Sequence, residues 1–173
     1  MTKSFLIGFT ALALTLGACG QKAPPPPVAP PLPPAPVVDP NSTDPNSLET
    51  TLLPAMQADM VAKAGSDTVY FGTDEYTLDM PARTTLAAQA RWLIAHPQVR
   101  ASLEGHCDVR GTREYNQALG ERRANSVREF MLSQGVPAAQ LVVTSWGKEK
   151  PVATGSNESA WAQNRREVTV IIR

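Results

Sequence analysis

Residues 99–130 read VRASLEGHCDVRGTREYNQALGERRANSVREF, and this stretch carries both periodicities on which the fold rests. Val99, Ala101, Leu103 and Gly105 alternate with Arg100, Ser102, Glu104 and His106, the period-two pattern of a strand with one buried face. A loop over residues 107–111 follows, and Thr112 then has the chemistry of a helix N-cap, with Glu114 favourably placed in the first turn. The helix should run to Gly135, where Gly135-Val136-Pro137 stops it. At about 100° per residue, Asn116, Leu119, Gly120, Arg123, Val127 and Phe130 share one face of that helix, while Arg122 points away from it.

Working outward, the same alternation of periods continues on both sides. Thr68-Val69-Tyr70-Phe71 is β-branched and aromatic and reads as a short strand ending at Gly72. Asp79-Met80-Pro81 is a helix start, and Leu86, Ala90, Leu93 and Ile94 keep helical spacing until His96-Pro97. Residues 141–146 form a third strand and residues 157–163 a short helix. In a last strand Val168, Val170 and Ile172 alternate with Glu167, Thr169 and Ile171. The order βαβαβαβ predicts an α/β domain, an α+β sandwich in which helices pack on a mixed four-stranded sheet.

Composition divides the chain into two populations. Sixteen Lys and Arg balance sixteen Asp and Glu, so no basic field is available to hold a nucleic-acid backbone. Ten of the sixteen prolines fall in residues 24–40, which can form neither helix nor central strand and favour extended polyproline II. At about 3.1 Å per residue that tract spans on the order of 50 Å. A polar stretch, residues 41–46, follows it, and residues 52–64 have the makings of a short helix. The predicted organisation is residues 1–18 as an export signal, 19–65 as a disordered proline-rich tether and 66–173 as the globular domain.

The signal reading rests on Lys3 followed by an apolar run over residues 5–16, too short for the roughly 20 residues that span a bilayer. The run ends in Leu16-Gly17-Ala18-Cys19-Gly20, which resembles the lipobox of bacterial lipoproteins. That resemblance implies acylation of Cys19 and a lasting membrane attachment, since each buried methylene contributes roughly 0.8 kcal/mol. Gly20 in place of aspartate favours the outer membrane.

Chemistry concentrates around the quoted stretch. Arg123 lies on the apolar stripe of its helix, where a guanidinium is costly unless a carboxylate or a ligand pairs with it. Gly120 on the same face lowers helix propensity by roughly 1 kcal/mol relative to alanine, which points to something packed closely there. Asp108, in the loop leading into that helix, is within reach of the same place. The residues read equally as an Asp108–Arg123 ion pair that orders the loop and as a binding site with one charge of each sign. His106, Cys107 and Asp108 are also the residue types of nucleophiles, bases and zinc ligands. Adjacent residues of a strand face opposite sides, however, and His96 ends a different helix, so no catalytic residue, metal site or cofactor is expected.

The segment from Gly105 to Asn116, with Leu119-Gly120-Glu121-Arg122-Arg123-Ala124, resembles the signature of OmpA-like peptidoglycan-binding domains. Val69-Tyr70-Phe71-Gly72, Trp146-Gly147-Lys148-Glu149-Lys150-Pro151 and Asn164-Arg165-Arg166 extend the similarity to the end of the chain. The resemblance implies a binder, not an enzyme, that recognises the diaminopimelate of the peptidoglycan stem peptide. Asp108 matches the aspartate that takes its ammonium and Arg123 the arginine that grips its carboxylate. Asn116, Thr112, Leu119, Arg165 and the Gly72-Thr73-Asp74 turn match supporting positions. Cys107 departs from the threonine of many relatives. The lipobox and spacer fit the lipid-anchored members, which implies an outer-membrane protein facing the periplasm, partnered by TolB and the Tol complex in envelope integrity and cell division. A lipoprotein with the same domain outside the Tol system, and a wall hydrolase, are the alternatives.

Overall fold

The computed structural model describes residues 45–173, with side chains from residue 52. The expected export signal, Cys19 and the proline tract of residues 24–40 lie outside the described residues. Helix α1 (Pro45–Ala64) comes first, then β1 (Thr68–Tyr70), α2 (Met80–Ala95), β2 (Arg100–His106), α3 (Arg113–Ser133), β3 (Leu141–Gly147), α4 (Glu158–Asn164) and β4 (Arg166–Ile172). A 3-10 turn, Ala138–Gln140, leads into β3. The four strands form one sheet in the order β1-β4-β2-β3, with β2 and β3 parallel and β4 antiparallel to both its neighbours. This is the mixed sheet with a helical layer that the sequence predicts.

Local chemistry sets the helix ends. The Asp79 carboxylate accepts from the Ala82 amide with Pro81 in the first turn of α2, and the Thr112 hydroxyl accepts from the Tyr115 amide to open α3. Gly135, at φ 95°, turns the chain out of α3. Leu86, Ala90 and Leu93 of α2 and Val127 and Met131 of α3 meet Ala101 and Leu103 of β2 in a closed core, joined by Val69, Phe71 and Ile171.

Two expectations need correction. The tether was expected to run to residue 65, yet α1 packs on α2 and β4, with Met60 fully buried and Leu53 and Met56 half-buried against the core. Burying a methionine contributes roughly 1.5–3 kcal/mol. Gln57 explains the rest of the attachment. Beyond Val168, where β1 stops, its side-chain amide donates to Thr169 O at 3.0 Å and accepts from Ile171 N at 2.8 Å, standing in for a neighbouring strand. The helix starts at Pro45, within the stretch whose polar composition reads as a turn, rather than at residue 52.

The second correction concerns β2, expected to bury one face. Ser102 and His106 are buried as well as Ala101 and Leu103, because β2 is an interior strand and side chains cross its far face. There Trp146 Nε1 donates to Glu104 at 2.7 Å and the Lys150 ammonium sits 3.3 Å from the Trp146 ring centroid. The alternation in β4 resolves the opposite way from its hydropathy. Glu167, Thr169 and Ile171 face the helices and are buried, while Val168, Val170 and Ile172 lie half-buried on the far face.

Candidate binding site

Where β2 ends and the chain crosses to α3, a pocket of about 310 Å³ opens between the turn after β1, the residue 107–111 loop and the start of α3. Its walls are Thr73, Asp74, Cys107, Asp108, Arg110, Gly111, Tyr115, Asn116, Leu119, Arg123 and Arg165. Seven of the nine residues expected at a site are therefore brought together: Thr73, Asp74, Asp108, Asn116, Leu119, Arg123 and Arg165. The other two serve from behind the wall. Thr112 caps α3, and Gly72 offers its carbonyl to Arg123.

Arg123 is completely buried and builds the site as much as it lines it. Nε donates to Glu75 O at 2.8 Å, Nη1 to His106 O at 2.7 Å and Nη2 to Gly72 O at 3.0 Å, so one guanidinium ties the residue 72–75 turn to the end of β2. Nη1 also reaches the Cys107 sulfur at 3.5 Å, which accounts for four of the five N–H groups of an arginine and leaves one on Nη2. Burial lowers its pKa from the ordinary value, with the Arg165 charge acting the same way. The fixed turn holds Asp74 at φ 57°, a left-handed conformation that aspartate tolerates better than most residues.

Asp108 does not pair with Arg123, so the loop-ordering ion pair that the sequence allows between them is not formed. Its partners are Arg110 and Arg165. The Arg110 backbone amide and Nε donate to Oδ1 at 3.1 and 3.0 Å, Arg110 Nη2 donates to Oδ2 at 2.7 Å, and Arg165 Nη1 approaches Oδ2 at 3.4 Å. Burial alone would raise this carboxyl, but the hydrogen bonds and charge of Arg110, helped by Arg165, hold it below the usual aspartate value. Arg165 is itself anchored by Phe71 O at 3.2 Å and Glu158 Oε1 at 2.6 Å. Asn116 Nδ2 donates to Arg110 O and Thr112 O at 2.6 and 2.9 Å and so fixes the loop between them.

Pattern reading missed Arg110, Gly111 and Tyr115. Arg110 follows Asp108 by two residues, a spacing at which a turn folds one side chain back onto the other, and that was the available signal. Across β2 the picture differs. His106 lies on the far face, its Nδ1 without a hydrogen-bond partner, and burial together with the nearby Arg166 and Lys150 charges lowers its pKa to about 4. Cys107 and Asp108 turn toward the pocket instead, so the three consecutive residues do not converge on one point. Among the described residues no cluster of three or more His, Cys, Asp or Glu is arranged to hold a metal ion.

A concave site carrying two carboxylates, Asp74 and Asp108, beside three guanidinium groups suits a ligand that bears both signs of charge. Residues 70–165 match the OmpA family. The chain belongs to the OmpA family. A protein of Agrobacterium fabrum named peptidoglycan-associated lipoprotein is 49% identical over 118 residues, covering 68% of this chain and 66% of that relative. One of the same name from Pseudomonas aeruginosa is 50% identical over 109 residues, 63% of this chain and 64% of the relative. This chain thus matches slightly under two thirds of the length of each. The crystal structure of the peptidoglycan-associated lipoprotein from Burkholderia pseudomallei superposes with a TM-score of 0.61 at 44% identity, over 62% of this chain and 92% of that one. The C-terminal domain of Helicobacter pylori MotB, at 19% identity and a TM-score of 0.57, shares the fold. The OmpA-family match takes in the last residue of β1 and all of α2, β2, α3, β3 and α4, and with them every wall of the pocket.

Proposed function

We propose that this OmpA-family domain binds peptidoglycan non-covalently, taking the free end of diaminopimelate into the pocket between Asp108 and Arg123. That end carries an ammonium and a carboxylate on one carbon. Asp108 receives the ammonium, the uncommitted Nη2 hydrogen of Arg123 meets the carboxylate, and Thr73, Asp74, Asn116, Leu119 and Arg165 shape the walls around them. Thr112 and Gly72 support this from the loop and the turn. Hydrogen bonds to charged groups contribute on the order of 1.5–3 kcal/mol each, a scale of reversible attachment rather than permanent linkage. The observation that carries the reading is the meeting of opposite charges in one pocket of an OmpA-family fold. The names of the relatives support it, being names for association with peptidoglycan and not for a reaction.

The same reading makes Cys19 the acylated anchor in the outer membrane, residues 1–18 its export signal and the proline tract a spacer that lets the domain reach the wall. On this view the protein links the outer membrane to peptidoglycan, with TolB and the Tol complex as partners in envelope integrity and division. Titrating the full chain in detergent with a tripeptide of L-alanine, γ-D-glutamate and meso-diaminopimelate tests the core of it. Binding to the wild type and loss of binding in Asp108→Asn, with cooperative unfolding retained, are the expected results. Equal binding by both proteins would falsify the site assignment, and release of soluble muropeptides from sacculi would favour a hydrolase.

A further inference from the structure

Asp108 is already occupied. Its side chain is 9% exposed, and the two arginines holding it differ sharply: Arg165 is 8% exposed, whereas Arg110 is 40% exposed. Arg165 is fixed by three partners on three separate segments, the Phe71 carbonyl, Asp108 and Glu158. Arg110 grips both carboxylate oxygens through Nε and Nη2, lies with its guanidinium 4.3 Å from the Trp161 ring centroid, and touches Thr73 Oγ1 at 3.5 Å. It is the solvent-side partner, and its side chain is part of the pocket wall.

We infer that Arg110 is the pocket's own stand-in for a cationic ligand: its guanidinium fills the cation subsite at Asp108 in the free protein and is exchanged for the ammonium of the incoming molecule. The inference rests on the proposed function and adds a rule of admission to it. One ion pair is traded for another, so Asp108 is never left charged and unpaired in a desolvated place, the situation that would cost most. The displaced guanidinium keeps the Trp161 face beneath it and has the carboxylates of Glu158 and Asp74 near enough for their charges to act on it. A ligand must therefore present a full positive charge to enter, because a neutral donor cannot replace a two-pronged guanidinium on a carboxylate. An amine blocked by acetylation is excluded even where its shape fits.

The test compares wild type with Arg110→Gln as full chains in detergent, both titrated with the diaminopimelate tripeptide and with its N-acetylated form, blocked on the side-chain amine. Removing the internal competitor should tighten binding of the free tripeptide roughly threefold to tenfold, the scale of a partly exposed ion pair. In isotope-labelled wild type the Arg110 Nε–H resonance should move from a hydrogen-bonded to a solvated position with the same midpoint as the backbone shifts, and the acetylated peptide should move nothing. Weaker or equal binding by Arg110→Gln would overturn the exchange, since Arg110 would then hold the ligand or play no part. Absence of binding by both proteins would overturn the proposed function itself, and the inference with it. Arg110→Gln gives up the same ion pair in the folded state and should melt a few degrees lower, and a cooperative transition well above the assay temperature keeps these outcomes separate from a folding defect.

Discussion

Gly105 of β2 and Gly120 of α3 lie back to back: a Cβ added at Gly105 would overlap the Gly120 carbonyl, and one added at Gly120 would stand 2.9 Å from the Gly105 carbonyl oxygen. No other residue type permits this approach, which sets α3 against the sheet one turn before Arg123 and so brings the guanidinium to the end of β2. A helix glycine that lowers propensity is retained for distance.

Gly105→Ala should therefore destabilise by about 3 kcal/mol or more, since the atoms in the way are backbone and cannot turn aside. Gly120→Ala regains roughly 1 kcal/mol of helix propensity but still meets a carbonyl and the Ser145 hydroxyl, and should lose about 1–2 kcal/mol net. Urea unfolding of both variants measures this. Wild-type stability in Gly105→Ala would mean that the crossing is looser than described.

Arg123 predicts a failure of fold before a failure of binding. Arg123→Ala strands the carbonyls of Gly72, Glu75 and His106 and should cost about 3–5 kcal/mol. Arg123→Lys keeps the charge but cannot reach three acceptors with a planar fork, so it should recover only part of that loss. Calorimetric melting of the two variants checks the order: Ala lowest, Lys between, wild type highest.

The strand and helix order, the caps at Asp79 and Thr112 and the apolar stripe of α3 were legible because each is a local pattern. The meeting of Asp108 with Arg123 in one pocket was legible too, as a charge in a place where charge is costly. What those charges touch was not. Arg123 bonds backbone carbonyls, which carry no sequence signal, and Arg110 takes Asp108 through a turn geometry that side-chain periodicity does not encode. The attachment of α1 escaped for a similar reason, because one glutamine imitating a strand leaves no repeat to read. In β4 hydropathy pointed the wrong way, since Glu167 and Thr169 share the face that carries Ile171 into the core, where the Thr169 hydroxyl donates to Gln89 of α2.

Glu167 gives that inversion a pH signature. The side chain is fully buried and Oε2 has no hydrogen-bond partner, so burial, reinforced by the charges of Asp67 and Glu104 and only partly offset by Thr169, raises its pKa well above the ordinary 4.5. The folded state keeps the proton while the unfolded state releases it near the ordinary value. This contribution to stability is complete below about pH 4 and declines as pH rises toward the folded pKa, by at most roughly 1.4 kcal/mol per unit. Glu167→Gln, which has no proton to lose, should gain on wild type as pH rises above about 5 in urea titrations. A constant difference across that range would sink the account.

Cys107 supplies a probe of how tightly the pocket floor is closed. Its sulfur donates to Asn116 O at 3.3 Å and is 3% exposed, and burial raises the thiol from 9.0 to about 11 despite the Arg123 charge pulling the other way. At about pH 8 a shift of that size leaves on the order of a hundredfold fewer thiolates, and only the thiolate reacts. In a Cys19→Ala background, where Cys107 is the sole cysteine, alkylation by iodoacetamide should accordingly be at least about a hundredfold slower in the folded protein than in urea. The residual rate then reports opening of the floor, because reaction requires the thiol both to ionise and to meet the reagent. If the diaminopimelate tripeptide closes this pocket, saturating amounts should slow alkylation further. Labelling as fast as in urea would mean that the Cys107–Asn116 contact does not persist in solution.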